Sequence, residues 1–217
     1  IEAKQGGISE RDRAAAAGKL ESLTDGQPVR AEGAAFTPSA EDNAFGATPF
    51  VNHYDRDVYP DSIPTAEELG RKAVSGFATP GEYEPLTFGV RTHQPLRDLT
   101  VAVSDLTAGP ARIAKDRIAV YRVDYIKASV TTRPNGQWRI APKILAVFES
   151  DDLPADFTRE YWLTVHVPAD AAAGVYRGTI TVAAGGKTRE LPVSFEVLPF
   201  TLDRPAGTRR AWAIPLV

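Results

Sequence analysis

Cysteine and methionine are both absent from this 217-residue chain, and histidine occurs only three times. Without cysteine there is no disulfide, no thiolate metal site and no cysteine nucleophile, so any fold must hold by packing alone. A chain that begins at Ile1 and contains no methionine is expected to be a processed or trimmed piece, and removal of a secretory leader is one way to produce it. No apolar run approaches membrane-spanning length, so membrane insertion is not expected. A net charge of -3 gives no basis for a nucleic-acid partner or an anionic membrane surface.

Signatures of catalysis are also missing. There is no Gly-x-Ser-x-Gly elbow for a serine nucleophile. His53, His93 and His166 are far apart and lack metal-ligand spacing. Gly185-Gly186-Lys187-Thr188 resembles the end of a phosphate loop, but the earlier glycine is absent and a strand containing Pro192 follows. Asp55, Asp57 and Asp61 are spaced as oxygen donors for calcium, without the glycine turn and closing glutamate of a calcium loop; a solvated loop is the simpler reading. Glu149, Asp151, Asp152 and Asp156 form an acidic cluster, and clustered acids in a loop are ordinarily just solvated. No catalytic residue, metal or cofactor is assigned.

What is present is alternation. Tyr161, Leu163, Val165 and Val167 fall on one side of a pleat, with Trp162, Thr164 and His166 on the other. Tyr176, Gly178, Ile180 and Val182 repeat the pattern, and Gly185-Gly186 supplies the positive φ of a tight hairpin. The returning strand carries Leu191, Val193, Phe195 and Val197 on one face. Upstream, alternation marks Leu86 to Val90, Leu99 to Val103 and Ile118 to Tyr125, with Val74 to Ala78 as a candidate first strand. Asn135-Gly136 predicts another hairpin, and Lys143 to Phe148 one further strand or a lining loop. Thr65-Ala-Glu-Glu reads as a capping box opening a short helical turn, and Ser9 to Leu23 as a weak helix. Eight or nine short strands without alternating helices predict an all-β, immunoglobulin-like antiparallel β-sandwich with a small N-terminal helical and extended arm.

Ala-Gly-Val-Tyr-x-Gly at Ala173 to Gly178 places a tyrosine at a strand entry, where a sandwich of this type uses a tyrosine corner. Gly174, Tyr176 and Gly178 are the residues of that expected corner, and Gly178 stands where an antibody domain carries a cysteine. Trp162, on the non-core side of its strand, is read as facing a neighbouring domain together with His166. Trp138, beside a hairpin tip, and nearby Tyr125 are the candidates for stacking on a sugar ring.

Four stretches together carry a family resemblance: Thr79-Pro-Gly-Glu-Tyr-Glu-Pro-Leu-Thr-Phe-Gly-Val, Leu99-Thr-Val-Ala-Val-Ser-Asp-Leu, Tyr161 through Gly178, and Leu191 to Leu198 followed by Pro199-Phe-Thr-Leu. From about Tyr54 to Leu202 the chain resembles the N-terminal β-sandwich that precedes the barrel in glycoside hydrolase family 123. The resemblance implies that a (β/α)8 barrel follows; in the characterised members that barrel carries an adjacent Asp-Glu pair and releases N-acetylgalactosamine with the substrate's own acetamido group as nucleophile, but relatives vary and the substrate is not carried over to this chain. It carries no catalytic residue onto this chain.

The expected organisation is a helix and extended arm over residues 1–50, the sandwich over 51–202, and a linker or the start of a barrel over 203–217. The expected function is a non-catalytic accessory domain of a secreted bacterial glycosidase, located outside the cell, in the periplasm or at the cell surface. Its partners would be the catalytic barrel of the same protein and a glycan. The alternatives are a free-standing carbohydrate-binding module and a structural surface or adhesion domain.

Overall fold

A computed structural model describes residues 35–129 and 138–202. The predicted helix over Ser9 to Leu23, the Asn135-Gly136 turn and residues 203–217 lie outside the described residues.

The alternating segments become strands of two facing sheets. The first sheet runs in the order β1 (Ala47–Phe50), β3 (Tyr83–Thr92), β10 (Thr158–His166), β7 (Ile118–Ser129) and β8 (Trp138–Ala146). The second runs β2 (Val74–Ala78), β12 (Lys187–Val197), β11 (Gly174–Ala184), β4 (Leu96–Val103) and β9 (Asp151–Leu153). A small hairpin, β5 (Leu106–Ala108) and β6 (Ala111–Ile113), attaches to β11. The pairings are antiparallel except that β2 runs parallel to β12.

The core lies between the sheets and is made by the residues that alternation marks. Leu86, Phe88, Val90, Tyr161, Leu163 and Val165 of the first sheet are fully buried against Tyr176, Ile180, Val182, Val193 and Phe195 of the second. Phe88 and Tyr161 stack with centroids 5.3 Å apart. Gly178 makes room for Leu106; a Cβ there would meet Leu106 Cδ2 at 2.4 Å. Tyr176 donates its hydroxyl to the Ala172 carbonyl at 2.7 Å, four residues upstream, after Gly174 turns the chain at φ +150°. The Thr79-Pro-Gly-Glu stretch is a turn with Gly81 at φ +88°, and Gly81 N–H donates to the Val167 carbonyl at 3.0 Å. Both family-like stretches therefore shape backbone rather than present reactive groups.

One boundary differs from the sequence reading. Residues 40–50, expected as part of the arm, belong to the sandwich: they form α1 (Ala40–Phe45) and β1. Ser39 caps α1 by accepting from Asp42 N–H at 3.1 Å, and Gly46, in the left-handed region, turns the chain directly into β1. Arg189 of β12 pairs with Glu41 and with Asp42, the latter at 2.9 Å, holding the helix against the second sheet. Lys143 falls inside β8, where a register shift opposite Asp124 and Tyr125 accommodates one extra residue.

The acidic cluster is split by the fold. Asp151 is buried between the sheets, with Arg159 Nε at 3.0 Å, Arg122 Nη1 at 3.5 Å and the Tyr161 hydroxyl at 3.2 Å. Asp152 points away and accepts from Arg97 at 2.7 Å and from the Asp98 N–H at 3.0 Å.

Candidate functional site

The outer face of the first sheet holds the aromatic and ionisable groups that the core does not absorb. Because side chains alternate, the strand that buries Tyr161, Leu163 and Val165 must turn Glu160, Trp162, Thr164 and His166 outward. Cross-strand pairing sets Trp162 beside Thr87 and Tyr121, and His166 beside Tyr83.

The segment after β1 folds over one half of this face. Gly89 lies directly beneath the Phe50 ring, where a Cβ would come within 2.1 Å of it. Asn52 then reaches Glu160, donating from Nδ2 to Oε1 at 2.6 Å, and Thr87 Oγ1 donates to the Asn52 carbonyl at 3.2 Å. The chain continues through α2 (Ala66–Gly70), whose N-cap Thr65 and Glu68 form the predicted capping box. Glu68 is buried and pairs with Arg56. This covering leaves Glu160 only 4% exposed. Burial raises its pKa to about 8; the Asn52 hydrogen bond works against the rise, Asp57 adds to it, Arg56 opposes it and Glu68 adds to it.

Between the covering loop and the sheet is a hollow of about 220 Å³. Glu160, Trp162, Tyr54, Arg56, Asp57 and Leu145 are among its walls. Tyr54 and Trp162 meet at a tilt of 57°, with centroids 6.2 Å apart.

The other half of the face is open. His166 stacks on Tyr83 at 4.3 Å with the rings nearly parallel, and Arg117 Nη1 donates to His166 Nδ1 at 3.3 Å. A shallow depression of about 450 Å³ runs from this stack to Tyr121.

The sequence candidates are thus dispersed. Trp162 and His166 share the outward face of β10, four residues apart, which is roughly 13 Å along a strand. Tyr125 is a bracing residue: its hydroxyl donates to the Thr158 carbonyl at 3.1 Å, and Arg159 lies over its ring at 5.5 Å. Burial raises the pKa of that phenol. Trp138 opens β8 opposite Ser129, and its side chain lies outside the described residues. Gly174, Tyr176 and Gly178 sit on β11 in the second sheet. Asn52, Tyr54 and Glu160 had no sequence signal beyond their polarity, because a segment more than a hundred residues away in sequence brings them together.

The family model described as glycoside hydrolase 123 N-terminal domain matches residues 58–184. A solved family 123 glycoside hydrolase from Clostridium perfringens, described in a study of glycolipid glycan hydrolysis, superposes with a TM-score of 0.64 at 19% identity. The match covers 71% of this chain and 27% of that one, so the chain spans about a quarter of the length of that enzyme. AvmM, which catalyses macrocyclization in alchivemycin A biosynthesis, aligns at 8% identity with a TM-score of 0.40, over 73% of this chain and 92% of its own. No curated protein matches the chain.

Proposed function

This chain belongs to the glycoside hydrolase 123 N-terminal domain family, and we propose that it is the non-catalytic sandwich of a secreted bacterial glycoside hydrolase. In this reading a (β/α)8 catalytic domain of the same protein docks on the end of the sandwich where β12 leaves it.

The observation that carries the docking is the position of that exit. Leu198 N–H donates to the Ala78 carbonyl at 2.9 Å, so the departing chain is held against the end of β2, beside the Gly81–Val167 turn. Around this end the apolar side chains are exposed instead of buried. Phe77 and Val175 flank Glu196 in one row across β2, β12 and β11, Phe200 and Leu202 follow Leu198 in the departing chain, and Tyr83 stands on the outer face of the first sheet just after the turn that follows β2; all five are at least 46% exposed. Large exposed apolar side chains gathered around one end of a domain mark an interaction site. A groove of about 460 Å³, walled in part by Phe77, Val175 and Leu86, continues the patch along the sandwich edge.

The non-catalytic part of the reading is supported by the acids. Asp151 is held by two arginines and Asp152 by Arg97, so neither is free to work on a substrate.

Amide hydrogen exchange tests the docking. In the full-length protein the segments around Phe77, Tyr83 and Val175 are expected to exchange more slowly than in this chain alone, and Phe77→Asp with Val175→Asp should abolish the difference. Identical exchange in the two proteins would overturn the docking. Hydrolysis of an aryl N-acetylgalactosaminide by this chain without the rest of the protein would overturn the non-catalytic assignment.

A further inference from the structure

The hollow at Glu160 is lined by a set of groups that a structural role does not require. A carboxyl group stands almost fully buried with a single short hydrogen bond, from Asn52, and opens on a space walled by two aromatic rings. Its neighbour along the strand, Arg159, faces the opposite way, into the Asp151 cluster, so no cation of β10 neutralises it.

We propose that this hollow, formed by Tyr54, Trp162, Glu160, Arg56 and Asp57, binds one neutral sugar ring of a glycan. Three properties of the site select that ligand class. Its volume, about 220 Å³, lies below the roughly 300–1,000 Å³ of pockets for drug-sized molecules and suits a single small ring. Trp162 and Tyr54 offer apolar faces with polar rims, which match the C–H face of a pyranose. Glu160, Arg56 and Asp57 offer both donors and acceptors at the same wall, which match hydroxyl groups.

The charges argue against other classes. Arg56 is paired with Glu68, Asp57 and Glu68 both act to keep Glu160 protonated, and Lys143 of β8 adds a second cation to the lining, so the hollow carries charges of both signs. An anion would meet Glu160 and Asp57 with only Lys143 as a cation not paired to Glu68, and a purely apolar ligand would strip water from Glu160 and Asp57 without replacing its hydrogen bonds. A protonated Glu160 donates one hydrogen bond while its other oxygen accepts, which is the pattern a sugar hydroxyl completes.

This inference goes beyond the accessory-domain reading and does not depend on it: the groove that continues the docking patch shares Tyr54 with the hollow, but sugar binding is tested on this chain alone, without the docked domain.

The test uses the 217-residue chain and saturation-transfer difference NMR. The probes are galactose, glucose and N-acetylgalactosamine, with glucuronate as the anionic arm and cyclohexanol as the apolar arm. At least one neutral sugar is expected to bind saturably, in the millimolar range typical of a single ring, with glucuronate and cyclohexanol at least about tenfold weaker. Trp162→Ala should weaken binding by about tenfold or more. Leu145→Trp fills the mouth of the hollow from an exposed position on β8 and should do the same with an unchanged melting temperature, which separates loss of the site from loss of the fold. No saturable signal from any neutral sugar would overturn the proposal. So would equal binding of glucuronate or cyclohexanol, or full binding by a folded Leu145→Trp chain.

Discussion

Tyr161 donates its hydroxyl to Asp151 at 3.2 Å, joining the central strand of the first sheet to the edge strand of the second. The same carboxylate meets Arg159 and Arg122, so one buried acid ties β9 to β10 and β7. A sandwich without cysteine is closed at this end by charge and hydrogen bonds, and the Asp151 carboxylate is the shared acceptor. Burial and the adjacent Asp151 push the Tyr161 phenol well above its ordinary pKa, so it remains a donor.

Removing that acceptor leaves Arg159 and the 30% exposed Arg122 with Asp124 as their remaining acidic partner. Asp151→Ala is expected to cost about 2–3 kcal/mol, less than the roughly 3–5 kcal/mol of breaking a fully buried ion pair from one side, because Asp124 and solvent compensate part of the charge. Urea unfolding of the chain measures it; a loss below about 1 kcal/mol would mean that solvent already screens the cluster.

The Tyr176 hydroxyl has one backbone partner, the Ala172 carbonyl. We propose that it acts as the corner of this sandwich, and Tyr176→Phe should then lose about 1 kcal/mol. A denaturation midpoint identical to the parent's would remove that role.

Gly178 owes its place to crowding, not to backbone freedom. A methyl group there would press on Leu106 Cδ2 at 2.4 Å and on the Asp105 carbonyl at 2.9 Å. Gly178→Ala is expected to cost about 1–3 kcal/mol, as overpacked cores do, and Gly178→Ala with Leu106→Ala to recover part of it. A thermal scan of the two variants checks the coupling.

Glu160 makes stability depend on pH in an unusual direction. Its folded pKa of about 8 lies above the ordinary value of 4.5, so between those values the folded chain holds a proton that the unfolded chain releases. Stability is therefore full below the unfolded value and falls as pH rises through the folded one, at about 1.4 kcal/mol per unit of difference. The facing groups are Asn52, Arg56 and Asp57 from the covering loop and Glu68 from α2, with Lys143 of β8 lining the same hollow. Glu160→Gln should flatten the decline between pH 5 and pH 8, and parallel pH profiles for the two proteins would contradict the burial of a neutral acid.

Much of the architecture was legible in the residues. The alternation of Tyr161 to Val167 and Leu191 to Val197 marked which side chains are buried, and Gly185-Gly186, at φ +56° and +73°, set the pairing of Ala184 with Lys187. Strands of three or four residues were not legible: β1, β5, β6 and β9 are too short to display a period. The helix α1 was hidden in a stretch rich in small residues, with only Ser39 and Asp42 to mark it.

Sequence alone determined the faces of the long strands and the turns between them, because a period of two and a glycine at positive φ are local properties of the chain. Only the tertiary structure decided which strands are neighbours, as in the parallel pairing of β2 with β12. It also decided that Asp151 is buried while Asp152 is solvated, and that Glu160 lies beneath the loop carrying Asn52 and Tyr54. Those outcomes depend on which distant segment covers a given face, and no local pattern encodes that.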